Sequence, residues 1–218
     1  MTTLTTAPLA PLLERLFAEA DAATSPALDG FTADDRERLM RSKTEYLDLY
    51  GQLKDLWLPV SPETGRALYM LVRSTKATTI VEFGTSFGLS TLFLAAALRD
   101  NGGGRLIATE FEPGKIARAG QNVRDGGLDD LVDLRAGDAL ETLASDLPER
   151  IDLVLLDGAK ALYSDVLDLL EPHLTPGALI LADNADFCPD YLERVRSDTV
   201  HFVSTPFADD IELTLYLG

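Results

Sequence analysis

Apolar positions follow two different rhythms along the 218-residue chain. Up to residue 57 they recur at helical spacing. Leu12, Leu13, Leu16, Phe17 and Ala20 fall on one face, and after SPALDG at 25–30 so do Leu39, Tyr46, Leu49, Tyr50, Leu53 and Leu56. Two amphipathic helices are predicted, the second capped by Thr32 with Asp34 and Asp35 in its first turn, where the helix dipole favours negative charge. Their apolar stripes must cover something, either the rest of the chain as a lid or a second copy of the protein. Residues 1–57 are therefore read as a helical extension and 58–218 as the main domain. LPVSP at 58–62 interrupts the pattern, and Ser61, Pro62 and Glu63 read as N-cap, first helical position and early acid of a helix to about Arg73.

From Thr79 the rhythm alternates. Short β-rich runs at 79–83, 105–110, 131–135, 151–156 and 178–182 are separated by helical stretches at 90–99, 113–125, 139–146 and 161–171. Such alternation predicts a mostly parallel sheet with both faces covered, a doubly wound α/β fold. A helix at 189–197 precedes two more β-rich runs, His201 to Thr205 and Ile211 to Leu217, joined by PFADD. They read as a closing antiparallel hairpin, which makes the sheet seven-stranded.

Composition narrows the function classes. With 46% hydrophobic residues the chain can bury one substantial core. Lys and Arg number 19 against 36 Asp and Glu, a net charge of −17 with no basic patch in the sequence, which argues against nucleic acid and anionic lipid as partners. Cys188 is the one cysteine, without metal-ligand spacing, so a reducing cytoplasmic setting and a plain packing role are expected for it. No basic region precedes the first apolar residues, and no apolar run approaches the ~20 residues of a membrane span.

Candidate chemistry sits where strands end. TIVEFGTSFGLST at 79–91 carries a strand into a turn with Gly84 and Gly88 and then into a helix N-terminus, a cradle for a small ligand with Glu82 at its lip. The spacing G-x-x-x-G lacks the dinucleotide fingerprint, which argues against a nicotinamide or flavin enzyme. In doubly wound sheets ligands lie over the carboxyl ends of the strands, and the ends here carry Glu82, Glu110, Asp138, Asp157 and Asp183–Asn184. An acid at Glu110 is suited to a ribose diol. Asp138 has two readings, the N-cap of the helix starting at Ala139 or a residue beside an adenine. Asp157, Asp183 and Asn184 offer hard oxygen donors for Mg²⁺ or Ca²⁺, with Lys160 close by.

VSPETG at 60–65, VEFGTSFGLST at 81–91, Glu110, GDALETL at 137–143, LLDGAKALY at 155–163 and LADN at 181–184 together resemble the metal-dependent class I S-adenosylmethionine O-methyltransferases. This group contains the catechol and caffeoyl-CoA O-methyltransferases. The resemblance implies a Rossmann-like methyltransferase sheet in which Val60, Glu82, Gly84 and Ser90 line the methionine part of S-adenosylmethionine, Glu110 binds the ribose, and Asp138 with Ala139 touches the adenine. It implies a Mg²⁺ or other divalent cation on Asp157, Asp183 and Asn184, with Asp157 also beside the cofactor and in catalysis, and Lys160 as base. The expected activity is transfer of a methyl group to a hydroxyl of a small molecule of catechol or vicinal-diol type, in a cytoplasmic protein expected to be a homodimer. The chain departs from the family at ADFCPDYLE after the Asp–Asn pair and at Asp209–Asp210 in the last turn, regions that shape the acceptor pocket. Two competing readings remain at this point: a metal-independent O- or N-methyltransferase, and a catalytically silent nucleoside-binding protein.

Overall fold

The computed structural model describes residues 1–24, 32–208 and 210–218. The breaker expected at 25–30 and Asp209 lie outside the described residues. The parallel strands are β1 (Thr79–Phe83), β2 (Arg105–Glu110), β3 (Val132–Ala136), β4 (Ile151–Leu156) and β5 (Leu174–Ala182), and the hairpin is β6 (Phe202–Ala208) with β7 (Ile211–Tyr216). Among the described residues they form one seven-stranded sheet in the order β3-β2-β1-β4-β5-β7-β6. The pairings of β1 with β2 and β4, β2 with β3, and β4 with β5 are parallel, while β7 runs antiparallel to β5 and β6. Strand order therefore reverses between β1 and β4, and a crevice opens at their carboxyl ends.

Side-chain alternation along each strand divides the core in two. Ile80, Leu106 and Leu153 face a layer built on α1 (Leu9–Ala22), α4 (Pro62–Thr75) and α5 (Leu89–Asn101). Val81, Ile107, Val154 and Ile180 face α8 (Tyr163–Leu170) and α9 (Pro189–Ser197). Helix α4 begins as expected, with the Ser61 hydroxyl accepting the Thr64 N–H at 3.0 Å. Between β2 and β3 lies α6 (Pro113–Asp125), with the predicted bounds.

The largest departures from the sequence reading are in three elements. Strand β5 starts at Leu174, ahead of the predicted 178, because Pro176 and Gly177 sit in an irregularity where the β4–β5 register shifts and do not end the strand. The helix expected at 139–146 stops early, giving α7 (Ala139–Thr142). There the Arg135 guanidinium crosses from β3 and donates to the carbonyls of Thr142, Ser145 and Asp146, supplying the bonds a further helical turn would have made.

The second N-terminal helix is two, α2 (Ala33–Met40) and α3 (Tyr46–Gln52), with a break at 41–45. In the break the Ser42 hydroxyl accepts the Glu45 N–H at 3.1 Å, a local bond that competes with helix continuation. Thr32 caps α2 reciprocally: its hydroxyl accepts the Asp35 N–H at 3.1 Å and its own N–H reaches the Asp35 carboxylate at 3.2 Å. The extension does not behave as one unit. Leu9, Leu12, Leu13 and Leu16 of α1 belong to the main core, whereas α3 lies over the crevice, where Lys43 ties the break to α8 through Asp165 at 2.6 Å. The stripe that prompted the homodimer expectation is thus partly covered within one chain, with Leu49 and Leu53 buried.

Candidate active site

The crevice holds a cavity of about 500 Å³. Its floor is the set of strand ends at β1, β2 and β4, and its roof comes from α3 and the segment leading to α4, including Tyr46, Leu49, Tyr50 and Val60. Gly84 adopts φ +99°, and a Cβ there would fall 2.5 Å from the Asp157 carbonyl. Glycine is needed at this position because β4 approaches so closely, in addition to any ligand above it. Gly88, at φ +88°, is the N-cap of α5, and no side chain caps that helix. A smaller cleft continues from the turn and is bordered by Val60, Gly84, Ser90 and Asp157.

The acids of the turn are held by the chain itself. Glu110 accepts N–H bonds from Ser86 at 2.8 Å, Phe111 at 2.9 Å and Glu112 at 3.0 Å, and it lines the cavity. Asp138 is an N-cap, accepting the Leu140 N–H at 2.9 Å, and it also borders the cavity, so its two readings coexist. Its second oxygen accepts a short bond from the Tyr46 hydroxyl, whose pKa is pushed up to about 12 by burial and by that carboxylate. Ala139 lies beside it in the cavity wall.

Glu82 lies deeper than the lip of the cradle, where the sequence reading puts it. Alternation places it on the Ile80 face of β1, under α5, and it is fully buried. It borders neither the cavity nor the adjoining cleft. Its carboxylate accepts bonds from the hydroxyls of Ser90, Thr91 (2.6 Å) and Thr85 (3.3 Å), fastening the start of α5 to the strand. Burial raises its pKa to about 7 in spite of those three bonds. Ser90 donates its hydroxyl proton to this fastening and keeps the oxygen lone pairs as acceptors at the cleft.

At the other end Asp157, Lys160 and Asp183 come together as expected. Lys160 is 5% exposed, its ammonium 3.0 Å from Asp157, 3.7 Å from Asp183 and 2.8 Å from the Tyr163 hydroxyl. Burial alone would lower its pKa; the two carboxylates outweigh that and raise it. Asp183 is pushed up to about 7 by burial and by the charge of Asp157, whose own carboxyl is raised by burial. Two acids so close resist joint ionisation unless a cation lies with them. Asn184, at φ +49°, donates its amide nitrogen to Asp210, which leaves the amide oxygen as an acceptor. Among the described residues no group of three or more His, Cys, Asp or Glu side chains is arranged to hold a metal ion. The donor set of two carboxylates and an amide oxygen nonetheless fits a hard divalent cation, which takes its remaining positions from water and substrate.

Several lining residues escaped the sequence reading. Tyr46 and Tyr50 were counted only as parts of an apolar stripe, although their i, i+4 spacing puts both hydroxyls on one face. Lys115, in the first turn of α6, carries no signal beyond its charge, and Asp210 stands out only as part of the Asp209–Asp210 departure in the last turn. Ser86, within the G-x-x-x-G spacing, has φ +50° and a buried hydroxyl without a partner among the described residues. Cys188 is a packed thiol that donates to the Lys160 carbonyl at 3.2 Å, with its pKa raised to about 12 by burial.

A reversing parallel sheet with a Gly turn, an acid-ended second strand and a closing hairpin defines the class I methyltransferase fold. A family profile described as a methyltransferase domain matches residues 81–185. A catechol O-methyltransferase of Niastella koreensis is 35% identical over 130 residues, 58% of this chain and 58% of that protein's length. Catechol O-methyltransferase B of Danio rerio is 30% identical over 229 residues, covering 91% of this chain and 85% of that one. The chain belongs to the class I S-adenosylmethionine-dependent O-methyltransferase family that includes the catechol O-methyltransferases. The fold agrees: an O-methyltransferase from Bacillus cereus, solved in complex with SAH, superposes with a TM-score of 0.70 at 21% identity, over 94% of this chain and 97% of that one. Among the described residues no helix is long and apolar enough to cross a membrane.

Proposed function

We propose that the protein transfers the methyl group of S-adenosylmethionine to a hydroxyl of a small catechol or vicinal diol, with a divalent cation at Asp157, Asp183 and Asn184. The observation that carries this reading is one cavity with two unlike ends, Glu110 and Asp138 at one and Asp157, Lys160 and Asp183 at the other. The first end suits an adenosine and the second a pair of oxygens on an acceptor. The acceptor oxygen forms a bond to the methyl carbon as the carbon–sulfur bond breaks; the sulfonium becomes a thioether and the acceptor loses its proton.

The roof residues Leu49, Tyr50 and Leu53 exclude water and give a planar acceptor an apolar face, so that binding energy goes into alignment. A bound cation supplies a lowered acceptor pKa and a fixed acceptor position. Lys160 is the proton-handling group: with both carboxylates facing it the ammonium is favoured, and any positive charge that draws on those carboxylates makes the neutral amine accessible as base. The test is turnover on a catechol before and after chelation by EDTA, together with calorimetry of S-adenosylhomocysteine. Turnover that collapses on chelation and returns with Mg²⁺ supports the reading. Wild-type protein that does not bind S-adenosylhomocysteine overturns it.

One observation favours a second reading, metal-independent transfer: the Lys160 ammonium lies against both Asp157 and Asp183 and already offsets one of their two charges. Full activity after exhaustive chelation selects it. The homodimer remains a proposal too, tested by light scattering against the monomer mass of 23.7 kDa.

A further inference from the structure

Lys115 is a buried lysine whose ammonium has, among the described residues, only the face of an aromatic ring as a partner. It is 4% exposed, it lines the cavity, and it makes no ion pair or hydrogen bond among the described residues. Its ammonium lies 5.5 Å from the ring centroid of Phe87, in the Gly turn, and the acids that face it electrostatically are Glu110 and Glu112 nearby with Asp157 and Asp55 farther off. A lysine is seldom taken out of water without a paired charge or an acceptor, because its three donors then go unmet. Here the residue lines the cavity, so an acceptor for its ammonium can come from there.

The neighbouring acid shows what is missing there. A carboxylate offers about four acceptor positions, and Glu110 uses three on the N–H groups of Ser86, Phe111 and Glu112. About one position remains. A ribose diol has two hydroxyls, so Glu110 can accept from one of them, while the lone pairs of the hydroxyl oxygens stay open to a donor.

We propose that Lys115 is a second ribose-binding residue, donating from its ammonium to a hydroxyl oxygen of the nucleoside beside Glu110. The diol is then held by an acid that accepts and a cation that donates, with the face of the Phe87 ring 5.5 Å from that cation. This inference rests on the cofactor reading above and goes beyond it by adding a specificity determinant for the 2′,3′-diol.

Calorimetry with S-adenosylhomocysteine and with its 2′-deoxy and 3′-deoxy forms tests it, on wild type and Lys115→Met, which keeps the length and apolar stem. Lys115→Met is expected to bind S-adenosylhomocysteine about tenfold more weakly, the scale of one lost bond to a charged donor. One of the deoxy ligands should lose affinity for wild type but little further for the variant, since both changes remove the same contact. A purely structural lysine would shift the unfolding temperature of the ligand-free protein and leave the deoxy losses equal in both proteins, which overturns the proposal. Lys115→Gln, with a shorter donor, should fall between the two and keeps the test alive if the methionine variant folds poorly. No binding of S-adenosylhomocysteine to wild type sinks the cofactor reading itself. Binding by wild type that Lys115→Met and Lys115→Gln both match within twofold sinks the Lys115 assignment alone.

Discussion

The two ends of the cavity meet their negative charges in opposite ways. At the Gly-turn end Glu110 is surrounded by three backbone N–H groups and Glu82 by three hydroxyls, donors that belong to the turn and its helix. At the other end Asp157 and Asp183 share one ammonium and the Tyr163 hydroxyl donates elsewhere, to the Asp183 carbonyl at 2.8 Å. Backbone donors cannot leave, so the first end is organised before any ligand arrives. The second end is balanced by the ammonium of one side chain, a charge that another cation can replace. On the function proposed above, binding falls to local structure and chemistry to a charge cluster assembled across β4, β5 and the loop after β4.

The largest effect that tests this contrast is at Lys160. Lys160→Ala should lower kcat by roughly 10²–10⁴-fold, the range of a lost general base, with partial recovery at high pH where the acceptor ionises unaided, while S-adenosylhomocysteine affinity stays within a few-fold. A pH–rate profile and calorimetry on one preparation check both halves. Equal losses of turnover and cofactor affinity would erase the distinction between the two ends.

Glu110→Ala comes next. It removes a ribose acceptor and strands the N–H groups of Ser86, Phe111 and Glu112, so cofactor affinity should fall about ten- to hundredfold, on the order of 1.5–3 kcal/mol. Unchanged affinity by calorimetry would remove Glu110 from the cofactor site.

The smallest effect is a pH slope from Glu82. Its carboxyl is held at about 7 when folded against an ordinary value of 4.5, so between those values the folded state binds more protons than the unfolded chain. Stability should therefore rise as pH falls through this window and decline as pH rises toward 7, by on the order of 1 kcal/mol per pH unit. Asp183, raised to about 7, adds a slope of the same sign. Urea melts at several pH values should show a flatter slope for Glu82→Gln, because a neutral amide does not titrate. An unchanged slope would mean that the three hydroxyls hold Glu82 ionised throughout.

Much of the frame was readable from residues alone. Strands β1, β2 and β4 and helices α6 and α9 have the bounds that period and caps predict. Those signals are local: alternation along a pleat, an N-cap three residues before its target, a proline at a first helical turn. The acids at strand ends were legible for the same reason, because a parallel sheet delivers every strand end to one edge. Even the burial of Glu82 was available in principle, since it shares the parity of Ile80 and a hydroxyl-rich helix start follows it.

The sequence by itself thus determined the order of elements, the Gly turn, the helix caps and the supply of acids at one edge of the sheet. Tertiary structure decided which of those acids are fastened by their own chain and which are left to share a cation, how α3 splits from α2 to roof the cavity, and that Lys115 is shut in beside Glu110. The reason is distance along the chain. The Tyr46 bond to Asp138 joins residues 92 apart, and the Lys43 pairing with Asp165 spans 122. Contacts of that range depend on how layers pack around the sheet, and no periodicity within a segment encodes them.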